Sequence, residues 1–226
     1  MSHPTTGALS AELVADRLAE VRRRVAACGA DTGAVEVVAV TKGHGVEAVT
    51  AALGAGLHAI GENYAEELVA KAADPSTVAA RWHFLGAVQR RKVARLAKVV
   101  SCWQTVCRLV EGESIAERAP GAAVLVEVNL TGRPERNGVS LAEVPGLVGG
   151  LRALVLDVVG VMAIGVPGPP EDARPGFRRL AELARDLGLE QVSMGMSDDL
   201  EVAVQEGSTM IRIGRGLFGS RPTTAS

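Results

Sequence analysis

Aromatic residues are scarce in this 226-residue chain, which has three Phe, two Trp and one Tyr. With hydrophobic residues at 47% of the total, a sizeable core must be filled by Ala, Val and Leu. Packing of that kind suits helices laid on a parallel sheet. Cysteine is also scarce. Cys28, Cys102 and Cys107 are odd in number and lack zinc-finger spacing, which excludes a disulfide framework and reads as reduced thiols in a cytosolic protein. No excess of one charge exists, because 24 Lys and Arg face 26 Asp and Glu for a net charge of −2. That argues against a general binder of nucleic acid or anionic membranes. No uninterrupted apolar run is long enough for a membrane span. The opening MSHPTTGALS lacks a basic segment followed by an apolar one, so no signal peptide is expected and residues 1–9 read as a frayed lead-in.

What the chain does have is alternation. Short runs rich in Val and Ile recur between helix-like stretches with apolar stripes. The strand-like runs are Val35 to Thr41, His58 to Gly61, Arg81 to Leu85, Val99 to Trp103, Ala122 to Asn129, Leu154 to Ile164, Gln191 to Ser193 and Thr209 to Ile213. A first helix, Ser10 to Cys28, precedes them, with Leu13, Leu18, Val21 and Val25 near one stripe and Arg17, Arg22, Arg23 and Arg24 read as a solvated face. Gly165 to Gly176, rich in proline and glycine, reads as a mobile loop. Eight strands alternating with helices and no dividing linker predict an α/β fold. It is a (β/α)8 TIM-like barrel with an extra N-terminal helix, in a single domain over residues 1–226.

Two places carry chemistry. Lys42 follows the first buried strand, at the end where barrel residues face ligands. A lysine held there with its stem in an apolar wall loses hydration, and its amine becomes a better nucleophile toward an aldehyde. The second place is Ser193 to Arg221, which reads loop, helix, strand, glycine loop. Gly214 and Gly216 after the last strand let backbone N–H groups approach an anion, the usual place of a barrel phosphate site. Ser197 either caps the following helix or binds a phosphate oxygen. Asn63, after the second strand, either bonds a ligand hydroxyl or caps the next helix. The basic run Arg90, Arg91, Lys92, Arg95 and Lys98 reads as a solvated helix face.

Several motifs carry a resemblance from about Val38 to Arg221. They are Val40-Thr41-Lys42, Gly61-Glu62-Asn63-Tyr64, Trp82-His83-Phe84-Leu85-Gly86, Gly160 to Ile164, Ser193-Met194-Gly195-Met196-Ser197, Arg212-Ile213-Gly214 and Phe218-Gly219-Ser220-Arg221. Together they resemble the pyridoxal phosphate homeostasis protein family, itself similar to the N-terminal barrel of alanine racemase. The resemblance implies binding of pyridoxal 5'-phosphate (PLP) as a covalent Schiff base to Lys42. Ser197, Gly214 and Arg215, the last through its backbone N–H, would hold the phosphate. Arg212 would face the pyridine nitrogen, and Asn63 and Met162 would lie beside the ring. It further implies a cytoplasmic monomer or weak dimer that buffers or delivers PLP, with apo PLP-dependent enzymes as partners and no robust catalysis. A racemase-like PLP enzyme is the alternative. A Schiff-base aldolase would need a carboxylate near Lys42, for which Glu62 is the visible candidate.

Overall fold

The computed structural model describes residues 9–221; most of the predicted lead-in, residues 1–8, lies outside them. Eight parallel strands close into a barrel in sequence order. They are β1 (Glu36–Val40), β2 (Ala59–Glu62), β3 (Arg81–Phe84), β4 (Val100–Val106), β5 (Ala123–Val128), β6 (Asp157–Ala163), β7 (Gln191–Ser193) and β8 (Met210–Ile213). The helices are α1 (Ala11–Ala27), α2 (Val46–Gly54), α3 (Ala65–Ala72), α4 (Arg90–Leu96), α5 (Leu109–Ala116), α6 (Val144–Ala153), α7 (Arg174–Asp186), α8 (Leu200–Gln205) and α9 (Arg215–Phe218). The (β/α)8 barrel with a leading helix is therefore the observed architecture.

Strand residues alternate between two environments, as a period of two requires. Val37, Ala39, Ile60, Trp82, Phe84, Trp103, Val126, Val161 and Ile211 join the main core beneath the helices. The alternate positions fill the barrel interior with two small apolar clusters, Val38 with Ala59 and Met210, and Cys102 with Leu125 and Met162. His83, Gln104, Ser193 and Arg212 are also buried at alternate positions, so the interior is partly polar.

Several boundaries differ from the sequence reading. Val14 rather than Leu13 completes the buried stripe of α1, while Ser10 does cap it, accepting from Leu13 N at 3.3 Å. β4 runs on to Val106, past the predicted strand end at Trp103, and its pairing with β5 is irregular between Trp103 and Val106. The segment read as a loop over Gly165 to Gly176 contains a 3-10 turn, Pro170–Ala173, and the start of α7 at Arg174. Pro175 falls in the first turn of that helix, where its missing N–H removes no bond. Arg174 ties this region to the end of α8, donating to Glu171, Gln205 and Glu206.

One glycine sets the spacing between two loops at the carboxyl end. A Cβ on Gly86, just past β3, would lie 1.9 Å from the backbone oxygen of Asn63, just past β2. Gly86→Ala must therefore push these loops apart. We expect it to lower stability by about 2 kcal/mol, the usual size of an overpacking penalty, as read by urea unfolding.

Candidate functional site

The carboxyl ends of the strands bring the two places singled out in the sequence together. Lys42, Asn63, Met162, Ser197, Arg212, Gly214 and Arg215 all line one cavity of about 260 Å³, together with Val40, Leu85, Ile164, Met196 and Asp198. A second cavity of about 390 Å³ adjoins it, sharing Val40, Lys42, Gly214 and Arg215 and adding His44, Gly219, Ser220 and Arg221. Lys42 thus stands at the boundary between the two.

The lysine is half-buried. Its pKa lies below the ordinary value, chiefly through burial, then through the positive charges of Arg221 and Arg212, with Glu62 opposing. Its neighbour Thr41 is fixed from behind. Thr41 Oγ1 donates to Glu62 Oε1 at 2.6 Å, and Lys71 Nζ donates to both Glu62 Oε1 (2.5 Å) and the Thr41 carbonyl (2.9 Å). Glu62 is fully buried in this pair and does not line either cavity. The aldolase reading loses its carboxylate.

Beside the lysine, across the β1–β8 seam of the barrel, the loops after β7 and β8 meet. Ser197 Oγ accepts from the backbone N–H of Gly216 at 3.2 Å. It caps nothing, because α8 begins only at Leu200 behind Asp199. A Cβ on Gly216 would sit 3.2 Å from Ser197 Oγ and 2.9 Å from Ile213 Cγ2. The glycine keeps this cradle open. The Arg215 side chain is paired with Asp198, 2.5 and 2.6 Å from its two carboxylate oxygens, and both residues line the cavity.

Arg212 projects from β8 into the interior. Nη1 donates to Ser193 Oγ at 2.7 Å and Nη2 to the Ala163 carbonyl at 2.8 Å. The bonds continue inward: Ser193 Oγ donates to Gln104 Oε1 at 2.7 Å, and Gln104 Nε2 lies 2.7 Å from His83 Nδ1. Because Gln104 Nε2 can only donate, His83 is the neutral tautomer accepting at Nδ1. Every donor in the chain points away from Arg212. Burial lowers the Arg212 pKa to about 10, against the charges of Asp199 and Glu127. It remains a cation and a pure donor at neutral pH.

Asn63 is not a helix cap; that place belongs to Tyr64, which makes no side-chain capping bond. Asn63 Nδ2 donates to the Leu85 carbonyl at 3.3 Å, while its Oδ1 is buried with no partner among the described residues. Asn63 itself lines the cavity, and a buried acceptor left without a partner calls for an explanation such as a ligand or water close by. Met162 flanks the same space from β6.

The alanine racemase N-terminal domain model matches residues 14–222. A pyridoxal phosphate homeostasis protein from Pseudomonas aeruginosa is 37% identical over 219 residues, covering 93% of this chain and 95% of that protein. The chain belongs to the pyridoxal phosphate homeostasis protein family. Among solved structures, PipY of Synechococcus elongatus with PLP bound is 28% identical, with a TM-score of 0.79, covering 91% of this chain and all of that one. Alanine racemase from Corynebacterium glutamicum shares the fold, with a TM-score of 0.70 at 18% identity, and the match takes in 64% of its length.

For a member of this family the residues present fit a phosphorylated aldehyde. An amine of lowered pKa, glycine backbone at a strand end, a buried guanidinium and the Asn63 side chain share one cavity. Sequence reasoning missed His83, Gln104 and Ser193 as a connected set. It quoted Arg221 in a motif without assigning it to the site. The available signal was one arginine embedded in an otherwise buried strand, since such a cation needs interior acceptors.

Burial, with a smaller push from Arg81, lowers the His83 pKa to about 4. An unfolded histidine takes up its proton near its ordinary value of ~6.5. Between these values the unfolded state holds more protons, so stability must fall as pH drops through the window and recover as it rises. The size is about 3 kcal/mol by pH 4. Urea unfolding of the wild type and of His83→Gln from pH 7 to 4 should show the steeper loss in the wild type.

Proposed function

We propose that the protein binds PLP as a Schiff base to Lys42 and serves PLP homeostasis in the cytosol by buffering the cofactor or handing it to apo PLP-dependent enzymes. The observation that carries this is the cavity that sets the Lys42 amine beside the cradle of Ser197, Gly214 and Arg215. It is supported by the name of the Pseudomonas relative and by the PLP bound in PipY. Three unpaired cysteines and the lack, among the described residues, of a helix long and apolar enough to cross a membrane agree with the cytosolic place.

Each residue then has a task. Burial and the two arginines keep more of Lys42 as free amine at neutral pH, ready for an aldehyde. The Ser197 hydroxyl, already fixed by Gly216, and the backbone of Gly214 and Arg215 take the phosphate. Asn63 and Met162, on the wall of the same cavity, would lie beside the ring. Bound PLP supplies an electrophilic carbonyl and, when its ring nitrogen is protonated, an electron sink. Arg212 can donate to that nitrogen but has no acceptor lone pair, and at a pKa of about 10 it does not protonate it.

The same arrangement supports holding over turnover. Among the described residues lining the cofactor cavity, the titratable ones besides Lys42 are Arg212, Arg215 and Asp198. Two are arginines, and the third is tied to Arg215. Tyr64, the one tyrosine, is 54% exposed and lines neither cavity. Racemisation needs acid and base groups on both faces of the reacting carbon, and this cavity offers one amine.

Protein purified with PLP should be yellow, should bleach with borohydride, and should yield a pyridoxyl adduct on the Lys42 peptide. Lys42→Ala should stay colourless. A folded wild type that takes up no PLP ends the proposal. PLP should also pass from the loaded protein to an apo-enzyme faster than free PLP does at matched concentration; an equal rate removes the delivery role. The rate of PLP capture should rise with pH through the Lys42 pKa, with an inflection below that of ordinary lysine. Removing one repelling cation in Arg221→Ala should move the inflection to higher pH.

A further inference from the structure

α1 stands outside the eight strand–helix repeats, and its arginines do not share one solvated face. Arg22 and Arg23 are exposed. Arg17 and Arg24, seven residues apart, return to the same side of the helix after two turns, beside the buried Val14, Leu18, Val21 and Val25. Both are partly buried. Arg24 Nη2 donates to the Ser197 carbonyl at 3.0 Å, and its Nε and Nη2 reach the Glu201 carboxylate on α8 at 2.5 and 2.8 Å. Arg17 Nη1 donates to the Leu217 carbonyl of α9 at 2.8 Å.

We propose that α1 is the frame of the phosphate cradle, with Arg24 and Arg17 as the positioning residues that hold its two halves. The inference rests on the PLP reading above. Ser197 lies in the loop after β7, and Leu217 lies in the turn after β8 that carries Gly214, Arg215 and Gly216. The two halves touch each other through the bond from Gly216 N to Ser197 Oγ and through the exposed Arg215–Asp198 pair. α9 is one turn long and cannot hold its shape by itself. Arg17 satisfies one of its terminal carbonyls, which α9 leaves without a helical partner. Arg24 is the recorded partner of the Ser197 carbonyl, so it sets the plane of that peptide and with it the aim of the hydroxyl. Glu201 neutralises Arg24, so its contribution is orientation rather than field. A cradle oriented before the anion arrives does not pay for ordering on binding.

The role predicts a selective defect. Arg24→Met keeps the aliphatic stem against α8 but loses the Ser197 bond. It should raise the PLP dissociation constant, read by absorbance titration, roughly ten-fold. Trapping of unphosphorylated pyridoxal on Lys42 by borohydride, quantified by peptide mass, should stay at the wild-type level. Arg17→Met should act in the same direction, and Arg23→Ala, an exposed neighbour paired with Glu20, should act in neither assay. Glu201→Gln leaves the Ser197 bond in place and should cost less than Arg24→Met. If Arg24→Met does not fold, Arg24→Lys, which keeps the charge but not the forked donor, should show the same selective loss.

Three results overturn the inference. One is a PLP affinity within about two-fold of wild type. Another is an equal fall for PLP and pyridoxal, which marks general loosening. The third is a Glu201→Gln defect as large as that of Arg24→Met, which assigns the effect to the ion pair between α1 and α8. A folded wild type that forms no adduct on Lys42 from PLP removes the PLP reading itself, and this inference with it; adduct formation with normal affinity in Arg24→Met removes the inference alone.

Discussion

A guanidinium sealed inside the barrel mouth, with no carboxylate touching it, is the constraint around which the interior is arranged. Taking such a charge out of water costs several kcal/mol unless its donors are met. Arg212 meets it with Ser193 Oγ and the Ala163 carbonyl, while Asp199 and Glu127 act on it only through space. Ser193 then needs an acceptor for its own proton, which Gln104 provides, and the Gln104 amide needs one in turn, which His83 provides. A barrel filled wholly with aliphatic side chains would be cheaper to fold. The run of polar residues is tolerable because each satisfies the next, and it leaves Arg212 with donors free on the cavity side.

That cation also shapes the lysine. Lys42 and Arg212 line the same cavity, Arg221 lines the adjoining one, and both arginines oppose a third positive charge. Burial acts in the same direction. Glu62 opposes them through space, while its Oε1 holds Lys71 and Thr41. The buried pair anchors the strand end that presents Lys42.

Most of the fold was legible because its signals are local and repeated. Eight apolar strand runs, each followed by a helical stripe, leave little room for another architecture. The errors lie where a local rule met a tertiary one. Pro175 and Gly176 suggested loop, yet a proline in the first turn costs a helix nothing. Val106 suits a helix or a strand, and barrel pairing decided. That Lys42, Ser197 and Gly214 line one cavity was legible because residue type and position at strand ends are written in the chain. The chain through Ser193, Gln104 and His83 was not, since it joins residues up to 110 apart in sequence only at alternate strand positions, where an isolated polar residue reads as a defect in a pattern. The arginines of α1 failed for the same reason. Amphipathic spacing separates a buried stripe from the rest, but it cannot tell a solvated arginine from one that reaches a neighbouring loop.

A lysine of lowered pKa is a better nucleophile at neutral pH, and it is also a better leaving amine when another amine attacks the carbon it holds. On the PLP reading, the covalent bond is thus not what fixes the residence time of the cofactor. The grip that would matter is the non-covalent one on the phosphate, from the loops after β7 and β8 beside Lys42. Exchange between amines needs no proton removed from carbon, so a cavity with a single amine and a donor-only guanidinium would suffice for it. Such a site can load and unload by the same reversible step, and its affinity can change through the loops after β7 and β8 without altering Lys42. On that reading the cradle would set how long the cofactor stays, while the lysine would set how readily it is exchanged.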